Sequence, residues 1–261
     1  MLDLKQLTTD VCQIATEVGH FLKEERKNFR RERVEEKHAH DYVSYVDKES
    51  EVRVVKALAA LLPEAGFITE EGSATYQDEP YCWVIDPLDG TTNYIHDEAP
   101  YCVCIALRNR TELLLGVVYE VCRDECFYAW KGEEIHVSSV EDIQDAFVIT
   151  ELPYNHLQYK QTALHLIDQL YGVVGGIRMN GSAAAAICYV AIGRFDAWME
   201  AFLGKWDYSA AALIVQQAGG KVTNFYGEDN FIEGHHIIET FGRSPSIEYV
   251  SGIATLKSLL L

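Results

Sequence analysis

The sequence of 261 residues lacks any long hydrophobic run. It contains no stretch of about 18 consecutive apolar residues, the shortest that usually predicts a membrane-spanning helix. No apolar segment precedes Asp3 and Lys5, so the pattern of a secretory signal peptide is missing as well. We therefore expect a protein of the cytoplasm that has no membrane partner.

Basic residues are scarce relative to acidic ones. Lysine and arginine number 22 against 40 aspartates and glutamates, which gives a net charge of −18. Proteins that bind nucleic acid broadly need a basic surface for the phosphate backbone, so the balance argues against a nucleic-acid partner. An acidic protein with an anionic substrate would need local positive charge, which bound cations could supply.

Cysteine pairs with the spacing of a metal or redox site are also absent. The seven cysteines form no Cys-x-x-Cys motif, and their number is odd. Reduced, mostly buried thiols are the simplest interpretation. No Ser-His-Asp or Cys-His pattern of a nucleophilic enzyme stands out either.

What the chain does contain is a change of pattern along its length. An amphipathic helix is predicted over residues 3–30, and an antiparallel meander over 101–130, where β-rich segments alternate with polar links. After a shift in composition at 138–145, predicted strands and helices alternate. We predict a mixed α/β protein with two halves, 1–140 and 141–261.

The most distinctive stretch covers residues 83–93. A short apolar run predicts a buried strand that ends at Pro87, and Asp86 and Asp89 then lie at the junction of strand and turn. Gly90 and Thr91 follow with backbone N–H groups that suit an anion. Carboxylates beside an anion site indicate hard cations between them, although an isolated Asp- and Gly-rich turn could simply be solvated surface.

Three motifs together resemble the signatures of the inositol monophosphatase family, magnesium-dependent phosphatases of small phosphate monoesters. They are Asp-Pro-Leu-Asp-Gly-Thr-Thr-Asn at 86–93, the pair Glu70-Glu71, and Trp206-Asp207 followed by a small-residue helix that ends in Ala-Gly-Gly at 218–220. They occur in the family's order, and the resemblance spans essentially the whole chain. It implies a layered α-β-α-β-α sandwich of the sugar-phosphatase type.

The resemblance also implies a site with two or three Mg²⁺ ions. The implied metal ligands are the side chains of Glu70, Asp86, Asp89 and Asp207 and the carbonyl of Leu88. A metal-activated water would attack phosphorus directly, its proton accepted through Thr91 with Asp47 or through Glu70. Substrate contacts are expected from Asp89, Gly90, Thr91, Gly181, Ser182 and Glu200, with Glu200 accepting inositol hydroxyls.

Simpler interpretations remain open for several of these residues. Asp47 and Asp207 each lie where a helical pattern begins, so either could be a helix N-cap. Glu200 could be a strand-end carboxylate, and Arg178 could be structural. Lys37 could be an exposed lysine or could reach an active site.

The expected activity is hydrolysis of inositol monophosphate to inositol and phosphate by a homodimer. The alternatives within the same superfamily are a fructose-1,6-bisphosphatase and a 3'(2'),5'-bisphosphate nucleotidase. The sequence shows no obvious basic pocket for a second phosphate, which counts against both. A non-catalytic metal-binding regulator is a further alternative, and the intact acidic set argues against it.

Overall fold

The computed structural model describes residues 2–30, 32, 34–38, 41–132, 143–152, 154, 156–224 and 238–241. The helices in this part of the chain are α1 (Leu4–Arg26), α2 (Tyr45–Leu61), α3 (Thr91–His96), α4 (Lys160–Leu170), α5 (Ala183–Ala191) and α6 (Lys205–Gln217). The strands are β1 (Val34–His38), β2 (Asp41–Ser44), β3 (Ala65–Thr69), β4 (Tyr81–Asp89), β5 (Cys102–Arg108), β6 (Leu113–Glu120), β7 (Glu125–Trp130), β8 (Phe147–Thr150), β9 (Gly176–Arg178), β10 (Ala197–Glu200), β11 (Lys221–Asn224) and β12 (Ile238–Phe241).

Two five-stranded sheets carry the fold. The first has the order β3-β4-β5-β6-β7, with β3 parallel to β4 and the remaining pairs antiparallel. Strands β5 to β7 are the predicted meander, which is confirmed. The second sheet has the order β11-β12-β10-β8-β9, in which β8 runs parallel to β9 and β10.

Helices cover and separate the two sheets. Helices α1 and α2 pack on one face of the first sheet, where Leu22 and Leu58 share a core with Trp83. Helices α5 and α6 fill the space between the sheets, and α4 packs on the far side of the second, where Leu166 contacts the cluster around Met199. The predicted α-β-α-β-α order is therefore confirmed. The division into halves at residue 140 stays a prediction, and the core of α5 and α6 contains side chains from both sheets.

Small side chains bring the middle helices close to the first sheet. Every residue of α5 is buried, and four of its nine residues form the run Ala183–Ala186. Gly116 on β6 lies directly against the backbone of Ala210 on α6, and a side chain at 116 would overlap the Ala210 carbonyl. The α6 backbone can therefore lie directly on β6.

The alternative interpretation of Asp47 and Asp207 as helix N-caps is wrong, because each cap lies three residues earlier. Ser44 precedes α2 and caps it, whereas Asp47 lies inside the first turn and accepts the Ser44 N–H at 2.9 Å. Gly204 precedes α6, and Asp207 accepts the Gly204 N–H at 2.6 Å. An acidic residue in the third helical position can bond back to the N-cap backbone, which a sequence pattern does not separate from capping itself.

Strand β4 also runs further than predicted, since it continues through Pro87 to Asp89. The pairing with β5 shifts register between Asp86 and Asp89, so an irregularity accommodates the missing proline N–H. Apolar runs also predict short strands at 135–137 and 248–250, and both lie outside the described residues. None of the described helices is long and apolar enough to cross a membrane.

Candidate active site

Three aspartates meet where β4 and β5 change register and α6 begins. Asp86, Asp89 and Asp207 each offer a carboxylate oxygen, and these oxygens all lie within 4.8 Å of one another. Asp86 and Asp89 are buried, and Asp207 is half-buried. The cluster could hold a metal ion, and the individual roles of its members stay predictions.

Glu70 adjoins the cluster from the end of β3. Its carboxyl group makes a side-chain hydrogen bond with Asp86, and its backbone N–H donates to the Ile85 carbonyl at 3.2 Å. Strand β3 pairs in parallel with β4 up to Thr69 opposite Ile85, so the two acidic motifs leave the sheet side by side. The parallel pairing explains how residues far apart in sequence reach the same site.

The N-terminus of α5 holds Asp89 in place. The Ser182 hydroxyl and the Ala184 N–H, the latter at 2.9 Å, both donate to Oδ2 of Asp89. A helix N-terminus favours negative charge, because its first N–H groups have no partner within the helix. Ser182 therefore lies beside the acidic cluster, and its expected contact with substrate stays a prediction.

Burial and mutual repulsion disfavour the charged form of the carboxyl groups in this cluster. Burial raises the pKa of Asp86 well above its usual range, and the charges of Glu70, Asp89 and Asp207 raise it further. Burial raises the pKa of Asp89 to about 6 against the opposing hydrogen bonds from Ser182 and Ala184. A group of converging carboxylate oxygens fits a hard divalent cation, which would offset the repulsion among them.

A hydrogen-bonded pair lies beside the cluster. The Thr91 hydroxyl is 3.0 Å from Oδ1 of Asp47 and 3.0 Å from the Leu88 carbonyl oxygen. Asp47 is buried, which raises its pKa, while bonds from Ser44 and Thr91 oppose that shift. The structure thus brings together the predicted residues Asp47, Leu88 and Thr91.

Two glycines allow the neighbouring loops to approach one another. Gly90 has a φ of +90°, and a Cβ there would lie 2.9 Å from the Pro100 carbonyl oxygen. Gly181 has a φ of +75°, and a Cβ there would lie 2.8 Å from Oδ1 of Asn93. The Asn93 amide donates to the carbonyls of Pro100 and Asn180, at 2.8 and 2.7 Å, and ties the two loops together.

Glu200 lies half-buried at the end of β10. Burial raises its pKa well above the usual range, and the carboxylates of Glu151, Asp207 and Asp89 add to the effect. Glu200 is therefore within electrostatic reach of the aspartate cluster. Its expected contact with substrate stays a prediction.

Several supporting residues were missed by sequence reasoning. Glu151 accepts the N–H groups of Asn180 and Gly181, at 2.8 and 3.0 Å, and Glu51 accepts two N–H groups of the loop after Glu70. Their partners are backbone groups of distant segments, so no local sequence motif predicts these contacts. Asn93 belongs to a motif, but nothing in the motif indicated that it joins two loops.

The sequence left two interpretations each for Arg178 and Lys37, and the structure bears on Arg178 only. The Arg178 guanidinium lies 4.7 Å from the Phe147 ring centroid and donates to the Ile177 carbonyl at 2.9 Å, which favours the structural interpretation. Lys37 belongs to β1, and its side chain lies outside the described part of the chain.

Comparisons with known proteins agree with this geometry. Nus factor SuhB of Pseudomonas aeruginosa is 38% identical over 217 residues, covering 78% of this chain and 80% of that protein. The structure of SuhB from Bartonella henselae superimposes with a TM-score of 0.87 at 31% identity, covering 95% of this chain and 98% of the other. Inositol monophosphatase from Anabaena gives a TM-score of 0.84 at 28% identity, covering 98% and 97%.

The family comparison extends over almost the entire sequence. The model of the inositol monophosphatase family matches residues 3–251, a span that contains all three acidic motifs and both sheets. Since the match includes Glu70, the segment 86–93 and Asp207, and since the same residues converge in the structure, the chain belongs to the inositol monophosphatase family.

Proposed function

We propose that the protein is a Mg²⁺-dependent phosphatase of small phosphate monoesters, with inositol monophosphate as its substrate. The observation that carries this proposal is the aspartate cluster of Asp86, Asp89 and Asp207 beside the hydrogen-bonded pair of Asp47 and Thr91. Oδ2 of Asp47 is used at the start of α2, but the bond from Thr91 to Oδ1 of Asp47 is not needed for that helix start.

The proposed metal ligands are Glu70, the three aspartates and the Leu88 carbonyl. Carboxylate and carbonyl oxygens are the ligands that Mg²⁺ prefers. When bound, the metal would neutralise phosphate oxygens and lower the pKa of a coordinated water. Ser182 and Ala184 donate to Oδ2 of Asp89 and fix its carboxylate, which offers an oxygen to the cluster with Asp86 and Asp207.

Asp47 and Thr91 would orient the attacking water. If the Thr91 hydroxyl donates to Asp47, its lone pairs can accept a hydrogen bond from water. Burial raises the pKa of Asp47, and a carboxylate with a raised pKa accepts a proton more readily. The attacking water would give up its proton through Thr91 to Asp47, or alternatively to Glu70.

The remaining predicted residues would bind the ester. Gly90 and Thr91 begin α3, and their N–H groups are proposed to hold phosphate oxygens. Gly181 and Ser182 would allow the organic group to approach the backbone. Glu200, next to Glu151 and the cluster, would accept hydroxyl groups of the polyol ring. This last contact is the reason for preferring inositol monophosphate.

A second candidate function follows from the names of the relatives. The curated proteins that are 31–38% identical are named Nus factor SuhB, a name that specifies no substrate. The alternative proposal is that this chain acts as a Nus factor, either through hydrolysis of an ester or independently of it. Replacing SuhB in Pseudomonas aeruginosa with wild-type and Asp86→Asn chains separates the two, since only a role independent of hydrolysis survives the substitution.

The test of the main proposal is a substrate screen. Purified protein is assayed with inositol monophosphates, fructose 1,6-bisphosphate and 3'-phosphoadenosine 5'-phosphate, each with Mg²⁺ and with excess chelator. We expect Mg²⁺-dependent release of phosphate, with the highest kcat/KM on an inositol monophosphate. Asp86→Asn is the control for contaminating phosphatases. A higher kcat/KM on either bisphosphate would make that bisphosphate the assigned substrate in place of inositol monophosphate. Absence of turnover on every ester would overturn the phosphatase proposal.

A further inference from the structure

Glu51 is a fully buried carboxylate on α2, with 0% exposure. Its Oε2 accepts the Glu71 N–H and its Oε1 accepts the Ser73 N–H, both at 2.7 Å. A glutamate is almost never fully buried unless partners compensate its charge. Both carboxylate oxygens of Glu51 accept hydrogen bonds from the backbone of a single turn, the segment 70–73.

The turn held by Glu51 carries a predicted metal ligand. Glu70 is fixed at its own N–H by the Ile85 carbonyl, at 3.2 Å, and the two N–H groups that follow it at 71 and 73 bind Glu51. The turn passes through Gly72 at a φ of +73°. With the backbone anchored on both sides, the Glu70 carboxyl is presented to Asp86.

The same helix supports the other side of the site. Asp47 and Glu51 are four positions apart on α2, so they lie on the same face. Asp47 receives the Thr91 hydroxyl, and Glu51 receives the turn that follows β3. One helix face therefore fixes both the Thr91 side and the Glu70 side of the aspartate cluster.

We propose that Glu51 is a positioning residue for Mg²⁺ binding, because it holds Glu70 in its ligand position before the ion arrives. The inference rests on the proposed function, in which Glu70 is a metal ligand. Without Glu51 the turn would have to be ordered by the ion itself, and apparent Mg²⁺ affinity would fall by that cost. A merely structural Glu51 would lower stability without changing Mg²⁺ affinity.

The test compares wild type with Glu51→Gln. A glutamine side chain has one acceptor oxygen and one NH₂ donor, so it can satisfy only one of the two N–H groups of the turn. We expect the Mg²⁺ concentration for half-maximal activity to rise about tenfold or more, on the scale of one charged hydrogen bond. We expect kcat at saturating Mg²⁺ to stay within about threefold of wild type, since the reacting groups are unchanged.

The matched control is Glu49→Gln on the same helix. Glu49 is exposed and pairs with Arg53 at 3.0 Å, so its replacement removes an equal charge from a side chain whose partner is not the turn. Its Mg²⁺ half-saturation should equal that of wild type. A rise in both variants would assign the effect to net charge and would overturn the proposal.

Binding is also measured without turnover, by calorimetric titration of the metal-free proteins with Mg²⁺. Weaker binding to Glu51→Gln than to wild type and Glu49→Gln supports the inference, and equal binding overturns it, whatever the stability. If Glu51→Gln does not fold, Glu51→Asp decides: the shorter side chain keeps the charge but not the reach, so weaker binding supports the proposal and unchanged binding overturns it. If wild type hydrolyses no ester, the proposed function fails, while calorimetry still tests Glu51.

Discussion

The hydroxyl oxygen of Thr91 lies 3.0 Å from Oδ1 of Asp47 and 3.0 Å from the carbonyl oxygen of Leu88. One hydroxyl hydrogen cannot serve both acceptors at once, so the partner it takes decides which other bonds each group can make. The bond between Thr91 and Asp47 joins α2 to the first residue of α3, and the two residues are 44 positions apart in the sequence.

The first prediction concerns this hydroxyl. Thr91→Val keeps the β-branched shape but removes the hydroxyl, and Thr91→Ser keeps the hydroxyl. Because the proposed role is to orient water through Asp47, we expect kcat to fall about 100-fold or more in Thr91→Val. Thr91→Ser should retain most of kcat, as measured under saturating Mg²⁺ and substrate. Equal activity in the two variants would assign Thr91 a packing role only.

The second prediction concerns metal removal and stability. The clustered carboxylates repel one another without a cation, and an ion that binds only the folded state stabilises it. Saturating Mg²⁺ should therefore raise the melting temperature measured by calorimetry, and excess chelator should reverse the rise and abolish activity. Asp86→Asn is the control, and its Mg²⁺-induced rise should be much smaller. Full turnover in a chelated sample would contradict the prediction.

The third prediction gives the pH dependence of the same cluster. The folded pKa of Asp89 is about 6, above the value of about 3.9 for an unfolded aspartate. Between these values the folded state binds more protons, so the contribution of Asp89 to stability falls as pH rises from about 4 through about 6. Mg²⁺ binds the deprotonated form, so its apparent affinity should increase over this range. Calorimetric titrations at pH 5.5 and 7.5 check this, and a pH-independent affinity would argue against Asp89 as a ligand.

The fourth prediction separates the two roles of Asp207. Asparagine can still accept the Gly204 N–H with its amide oxygen, so Asp207→Asn should fold with little loss of stability. Removal of the ligand charge should lower kcat about 100-fold or more. Thermal unfolding measures the stability of the variant, and kinetics on the same sample measures its kcat. A destabilised variant with normal kcat would show that Asp207 matters only for the start of α6.

The fifth prediction concerns specificity through Glu200. A group that accepts a substrate hydroxyl discriminates against esters that lack one, because its own polar atoms are left unpaired. Glu200→Gln should lower kcat/KM for inositol monophosphate about tenfold or more, the worth of a charged hydrogen bond. Glycerol 2-phosphate should be much less affected, since the metal ligands are unchanged. An equal loss on both esters would place Glu200 in support of the metal site.

The sequence predicted those parts of the site that belong to compact motifs. Asp86 and Asp89 stand three positions apart at the end of one strand, so their convergence follows from local geometry. Glu70 and Asp207 were found through the resemblance, because nothing local says that the end of β3 and the start of α6 reach the same point. The layer order likewise came from the resemblance, while the helices and the meander followed from apolar periodicity.

The supporting contacts could not be predicted in this way. Glu51 and Glu151 accept hydrogen bonds from backbone N–H groups 20 to 30 positions away. Every residue except proline has such an N–H group, so the sequence does not indicate which one is bound. The helix starts at Ser44 and Gly204 were missed because an aspartate in the third position resembles a cap. Strand β4 was ended too early because a proline in a strand usually marks its edge, and the register shift that accommodates it depends on β5.

The contact between Gly116 and Ala210 makes the geometry of the aspartate cluster depend on a residue without a side chain. Ala210 lies one turn along α6 from Asp207, and Gly116 belongs to a strand that contributes nothing to the acidic cluster. A methyl group at 116 would push α6 away from the first sheet and carry Asp207 away from the two aspartates on β4. A genetic screen for loss of function would therefore recover substitutions at 116 alongside those at the proposed metal ligands, although the glycine lies outside the aspartate cluster.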